Sequence, residues 1–193
     1  LLGQSDYLAK EQLVADLINN GTDSNYTGID GVALFSDSHP IANGGTFDNL
    51  STAASLSYSA LEQMLTDLRG HKTYKGNPWL TWGGYRLVTG KELALLAKRI
   101  LVTSGISGSA DVDKNVAADD IMATPGNQFL TDTNGYTLIP ADVARNPLFL
   151  LTGLNAEVRE DPKPSEWRTI YVVGSDRTAG WLSAQGVQHN AGA

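Results

Sequence analysis

The segment Asp30-Gly-Val-Ala-Leu-Phe-Ser-Asp-Ser-His-Pro40 constrains this chain more than any other. A short apolar run is followed at once by polar residues, and a His-Pro pair closes the segment. The residue before a proline is held out of the α region, so this stretch reads as a brief extended piece that ends in a turn. A second turn follows in Asn43-Gly-Gly-Thr-Phe-Asp-Asn49, where glycine supplies backbone angles that other residues resist. No nucleophile, base and orienting residue sit together in it, so nothing here announces a hydrolytic site.

The rest of the chain sorts by period. Residues 5–20 predict a helix that Ser5 or Asp6 can cap, with Leu13, Val14, Leu17 and Ile18 as its apolar stripe and Asn20-Gly21 as its end. Residues 21–31 are loop, 32–36 a short extended segment, and loop resumes to about 55. A helix over 59–69 has Ser59 and Glu62 at capping-box spacing and Leu61, Met64, Leu65 and Leu68 along one face. Residues 71–84 are loop and 85–88 a buried strand. Thr89 and Glu92 form a second capping box before a helix over 90–103, with Lys98 and Arg99 near its end, where the helix dipole favours cations. Residues 104–120 are rich in Gly, Ser and Asp without apolar period, which predicts a long exposed loop. Beyond 128 the pattern is β. Residues 129–132 and 136–139 flank Asn134-Gly135, a hairpin signal. An apolar run occupies 148–151 and a weak alternation 155–160. Asp161-Pro-Lys-Pro164 predicts a turn, because prolines interrupt a central strand. Residues 167–173 and 177–187 predict a last strand pair around 174–176. The order of elements is that of the α+β class.

Composition excludes several functions. The net charge of -7 comes without any run of Lys or Arg, so no basic face is available to neutralise nucleic-acid phosphates. Only 18% of residues are charged, and Gly, Ser, Thr and Asn fill the difference, which favours turns and strands. The absence of cysteine removes disulfides, thiolate zinc sites and thiol catalysis. No stretch approaches the roughly 18 apolar residues of a membrane span, so no membrane contact is expected. The chain opens Leu1-Leu2-Gly3 without Met or signal peptide, which reads as a processed product or an excerpt.

Individual motifs also fail on inspection. Five residues separate Gly84 from Gly90 where a phosphate loop has four, and Glu92 stands where Ser or Thr must meet magnesium. Asp111, Asp113 and Asn115 imitate the start of a calcium loop, but Val116 replaces its glycine and Met122 its bidentate glutamate. His39 with Asp37 is the one arrangement with acid-base or metal potential, against the favoured reading of a His-Pro turn whose imidazole hydrogen-bonds locally; His71 and His189 lie in unrelated sequence contexts. Asn20, Asn25 and Asn49 match the glycosylation pattern, as Asn-, Ser- and Thr-rich sequences do by chance. Trp79, Trp82, Trp167 and Trp181 suit a core or an interface better than a ligand-stacking surface. No cofactor and no metal are expected.

In its order of motifs the chain resembles the Mu-like major head subunits of tailed phages, capsid proteins with the Hong Kong 97-like fold. The resemblance rests on residues 7–20, similar to their spine helix, and on the 30–40 and 43–49 segments. It continues in the helix within 56–68, the strand and helix within 85–101, Phe129-Leu-Thr-Asp-Thr-Asn134, and Gly180-Trp181. Lys75-Gly-Asn-Pro-Trp79 departs from the family pattern, as do Gly135-Tyr-Thr137 and residues 182–186. The resemblance implies a spine helix, a peripheral β-sheet domain and an axial α/β domain. Residues 1–55 and most of 128–193 would be peripheral, with a return to the axial domain near the end, and 56–127 would be axial. It also implies an N-terminal arm and extended two-stranded loop ahead of the spine helix, where this sequence has only Leu1 and its neighbours.

The function so implied is a subunit that assembles with itself into pentamers and hexamers of an icosahedral head. That shell would enclose double-stranded DNA without reading it and would form in the cytoplasm of a bacterial host. Scaffold, portal and decoration proteins are the further partners. The candidate self-assembly loop is carried by Ser104, Gly105, Ser107, Asp111, Asp113 and Lys114. Two other readings stand beside it: an encapsulin-like compartment shell, and a small cytoplasmic hydrolase using His39 and Asp37.

Overall fold

A computed structural model describes residues 2–42, 44–79, 83–102, 115–163 and 168–193. In chain order its elements begin with α1 (Leu2–Asn19), β1 (His39–Pro40), β2 (Thr46–Phe47), β3 (Leu50–Ser51) and α2 (Tyr58–Gly70). They continue with β4 (Tyr85–Thr89), α3 (Ala94–Val102), α4 (Ala117–Asp120), β5 (Ile121–Ala123) and β6 (Tyr136–Pro140). A 3-10 turn at Val143–Arg145 leads to β7 (Leu148–Lys163), β8 (Arg168–Trp181) and β9 (Gln188–Asn190). The mixture is α+β, as the sequence predicts.

A five-stranded sheet in the order β3-β9-β6-β4-β5 organises the chain. β4 pairs antiparallel with β6, from Tyr85↔Pro140 to Thr89↔Tyr136, and parallel with β5. Alternation along β4 decides its two faces: Tyr85, Leu87 and Thr89 are buried while Arg86 is exposed. On the buried face α2 contributes Leu61, Met64, Leu65 and Leu68, the stripe its spacing predicts, and α3 contributes Ala97 and Leu101. Each fully buried side chain of this size contributes about 1.5–3 kcal/mol, so this cluster is the main apolar support of the fold. On the other face the end of α1 and the 30–40 segment supply Ile18, Leu34 and Phe35, packed with Val187, Val88 and Ile139.

The remaining large feature is a two-stranded antiparallel ribbon, β7 with β8, registered from Leu148↔Trp181 to Lys163↔Arg168. Arg177 of β8 pairs with Asp6 of α1, and Lys10 reaches the same carboxylate at 3.1 Å. The Arg177 guanidinium beside Asp6 holds its carboxyl below the usual carboxylate range. Residues 161–163 and 174–176, read from sequence as turns, instead continue this ribbon, with Pro162 opposite Thr169. The physical reason is that each strand of a two-stranded ribbon has one unpaired edge. A proline whose missing N–H faces that edge breaks no ladder bond.

Other boundaries also differ from expectation. α1 starts at Leu2, so Ser5 and Asp6 lie within it instead of capping it. α2 is capped by Ser57, whose side chain accepts from the Ala60 N–H, and not by Ser59. Thr89 is the last residue of β4 and fully buried, and its hydroxyl has no partner among the described residues; α3 begins later, at Ala94. Residues 129–132 form no strand. Asp132 accepts from the N–H groups of Asn134 (2.9 Å) and Gly135 (3.0 Å), so the Asn-Gly pair makes a side-chain-capped turn into β6. The end of the expected 104–120 loop is ordered and partly core: Asn115 and Ala117 are buried, and α4 leads directly into β5.

Candidate functional site

The chain's three histidines, far apart in sequence, meet at the junction between the 30–49 segment and the sheet. The 30–40 turn is fixed first. Gly31 has φ +76°, a conformation that favours glycine, and Val32 donates its N–H to Asp30 Oδ1. Phe35 donates its N–H to the Gly21 carbonyl at 2.7 Å, and its ring lies so close to Gly21 that a Cβ there would come within 2.4 Å of it. Glycine at position 21 is therefore demanded by packing as much as by the end of α1.

His39 is fully buried. Its Nδ1 lies 2.8 Å from Asp30 Oδ2, and its Nε2 lies 3.2 Å from Asn49 Oδ1 and 3.3 Å from the Leu34 carbonyl. The carboxylate partner is thus Asp30, not the exposed Asp37 of the sequence expectation. Asn49, also fully buried, is the hub: its amide donates to the carbonyls of Leu34 (2.7 Å) and Ala184 (3.2 Å), and its Oδ1 accepts from the Ser36 N–H at 2.8 Å. Its own carbonyl accepts the N–H of His189. A buried Asn49 so engaged cannot serve as a glycosylation acceptor.

His71, just past α2, sits 5.3 Å from Phe47, whose other neighbour is the His39 ring at 4.9 Å. The Gly186 N–H donates to His71 Nδ1, so its Nε2 carries the proton and donates to Gln188 Oε1 at 2.9 Å. Gln188 in turn donates to Ser51 Oγ, carrying the chain of bonds across to β3. Burial pushes the His71 imidazole below its ordinary value despite that partner. His189 stacks on Phe35 with centroids 4.4 Å apart, lies 2.9 Å from Thr137 Oγ1, and is pushed by burial down to about 4, against the opposing pull of Asp132.

Chemically this cluster fastens segments together. His39 has no solvent access for a substrate, and the groups against its ring nitrogens are acceptors already committed to the backbone or to Asn49. Among the described residues no group of three or more His, Cys, Asp or Glu could hold a metal. Sequence reasoning missed the convergence of the histidines because the links that close it join distant residues, His71 to Gln188 across 117 positions and Thr137 to His189 across 52. The available signal was the three polar residues of Gln188-His-Asn190 in a strand whose three positions are all buried.

The candidate assembly residues Ser104, Gly105, Ser107, Asp111, Asp113 and Lys114 lie outside the described residues, as do Trp82 and Trp167. Trp79 and Trp181 are half-buried, and each presses its indole nitrogen toward a glycine, Gly186 and Gly28 respectively. They pin two separate turns and form no shared surface. Residues 84–91 are strand and turn, and Gly84, at φ +77°, abuts the Asp120 carbonyl. Among the described residues no helix is long and apolar enough to cross a membrane. Large apolar side chains do stand in solvent, with Ile29 99%, Leu95 78%, Val102 73% and Leu182 72% exposed.

No protein-family model matches the sequence, and no curated protein matches it either. Two solved structures do. A virus-like particle from Pyrococcus furiosus is 16% identical, with a TM-score of 0.38 over 74% of this chain and 54% of its own. A phage-related protein from Bordetella bronchiseptica is 11% identical, with a TM-score of 0.51 over 97% of this chain. This chain spans 61% of that protein's length, and at such low identity the likeness is one of fold.

Proposed function

We propose that this chain is a wall-building subunit of an icosahedral shell with the Hong Kong 97-like fold, and more narrowly of a tailed-phage head that encloses DNA without reading it. The observation that carries the reading is the fold shared with the phage-related protein over 97% of the chain. The sequence resemblance to Mu-like head subunits points the same way by a separate route. In this reading α1 and the β7–β8 ribbon it lies against are the elongated peripheral part. The five-stranded sheet with α2 and α3 is the axial part, which takes in β3, β6 and β9 as well as residues 56–127. The loop within 104–114 then faces the capsomer centre, with Ser104, Gly105, Ser107, Asp111, Asp113 and Lys114 as its assembly residues. The partners are further copies of the chain in five- and six-fold rings, then scaffold, portal and decoration proteins. The shell forms in the cytoplasm of a bacterial host, and the subunit performs no catalysis.

Exposed apolar side chains suit this role, because repeated modest contacts multiply when many copies close on one another. Light scattering on concentrated protein, with negative-stain micrographs, tests the proposal. Rings, sheets or megadalton particles are expected. A monomer at every concentration would refute it, and particles loaded with one cargo enzyme would move the reading to an encapsulin-like compartment shell. Turnover of an ester or amide by a discrete monomer, lost in His39→Ala, would favour the hydrolase.

A further inference from the structure

The two edges of the five-stranded sheet differ in a way the fold itself does not require. At the β5 edge, Leu95, Lys98 and Val102 project from α3 at positions i, i+3 and i+7, one stripe of the helix. All three are exposed, and Met122 of β5 stands 54% exposed beside them. The opposite side of α3, through Ala97 and Leu101, already satisfies the core. Among the described residues the outer stripe therefore adds little to the core. A groove of about 560 Å³ runs along this edge, and Lys98 is the charged residue that lines it. Among the described residues Lys98 makes no ion pair.

At the far edge, beyond β3, a groove of about 600 Å³ opens between α2 and residues 46–54. Phe47, Ala54 and Ala60 give it apolar walls, and Asp48 and Asp67 face it against a single lysine, Lys72. Asp67 accepts from Gln63 Nε2 and Asp48 from the Leu50 N–H, so neither carboxylate is neutralised by an ion pair among the described residues. One edge thus offers an apolar ridge carrying a cation, and the other an apolar trough carrying a net negative charge.

We infer that the Leu95-Lys98-Val102 ridge of one copy of this chain docks into the Asp48-Asp67 groove of the next, a head-to-tail contact across sheet edges. The occupant of the groove is a second copy because the charge and shape it would need are those on the opposite edge of the same molecule. A contact between two different patches on one chain generates a ring when the rotation closes, and a filament when it does not. The inference rests on the shell reading and names the surfaces that the reading needs.

Charge reversal and cross-linking on the full chain test it. Lys98→Glu and Asp67→Lys alter exposed or half-buried helix positions, and unchanged melting curves verify folding. Each is expected to lower the assembled fraction about tenfold in sedimentation velocity, since like charges are brought together in the contact, and the double variant to recover it. Lys98→Cys with Asp67→Cys in one chain should give an oxidative ladder of covalent multimers with no native thiol to compete, whereas either single variant can give no more than a dimer. If the wild type assembles, both reversals leave assembly unchanged and no ladder forms, the edge-to-edge contact is overturned and the shell reading stands. A wild-type chain that never associates overturns both.

Discussion

Two of the buried clusters that hold this molecule are built on opposite principles. The cluster under α2 and α3 is predominantly apolar, with Leu61, Met64, Leu68, Leu87 and Leu138 fully buried. Around Asn49, fully or almost fully buried polar side chains are joined by hydrogen bonds, with His39, His71, Gln188 and His189 among them. An apolar core tolerates rearrangement because contact is nondirectional. A polar core is held only in the geometry that satisfies every donor and acceptor, so it fixes one arrangement of segments at the cost of desolvating each group. The polar core sits where the 30–49 segment, the end of α2 and β9 meet, so the segments most distant in sequence are joined by the most directional bonds.

The largest effect should come from violating the apolar core's principle. Leu65 is 5% exposed, and Leu65→Asp places an unpaired charge there. We expect a loss of about 4 kcal/mol or more, seen as insoluble expression or a collapsed urea midpoint. A soluble variant that melts normally would show that α2 does not pack as described. The matching break in the polar core is Asn49→Ala. It strands the Ser36 N–H and the Ala184 carbonyl and takes one donor from the Leu34 carbonyl, and roughly 2–4 kcal/mol should be lost. Asn49→Asp should fail similarly, because a carboxylate cannot donate to those two carbonyls. If Asn49→Asp were neutral, the hub would not depend on the amide's donors.

Acid should separate the two cores. His189 is pushed from 6.5 down to about 4, and His71 is lowered as well, both by burial. A histidine whose folded value lies below its unfolded value binds protons more readily when the chain opens. Its contribution is complete above about pH 6.5 and is lost as pH falls toward the folded value. For His189 alone, roughly 2 kcal/mol should be gone by pH 5. Urea midpoints measured from pH 7.5 to 4.5 should fall, and His189→Gln should flatten the profile even if its neutral-pH stability is lower. An identical slope in the variant would mean that the acid response arises elsewhere.

The same contrast explains what could be read from the sequence. α2 and β4 were legible because their burial follows a local period: Leu61, Met64, Leu65 and Leu68 for the helix, Tyr85 and Leu87 for the strand. The polar core was not, because Thr137 to His189 and His71 to Gln188 are pairings between distant residues, and neither partner carries a mark of the other. The local hydrogen bonding of His39 is legible in its His-Pro turn, but the carboxylate it meets is Asp30, brought there by the turn at Gly31, and not the sequence neighbour Asp37. The ribbon was cut into separate pieces for a related reason. Proline and glycine signals at 161–164 and 174–176 are local, whereas a two-stranded ribbon is specified by register and tolerates such residues at its edges. β5 escaped notice because three residues paired on one side only leave too short a pattern to detect.

The smallest test concerns where the apolar core's main helix begins. Sequence spacing points to Ser59 with Glu62, whereas the structure gives the role to Ser57, in extended conformation with its hydroxyl accepting from the Ala60 N–H. Ser59 lies inside the first turn, exposed, with its hydroxyl 3.2 Å from that of Ser57. Glu62 is engaged by the Tyr58 hydroxyl at 2.7 Å instead of reaching back to a backbone N–H. Removing a true cap costs about 1 kcal/mol, while serine to alanine inside a helix is close to neutral or mildly favourable. Ser57→Ala should therefore lower the urea midpoint and Ser59→Ala leave it unchanged or raise it slightly. The reverse order would return the start of α2 to the capping box and shift the helix by two residues. Leu61 and Leu65 would still face the sheet, so the apolar core could absorb that shift, as the polar core around Asn49 could not.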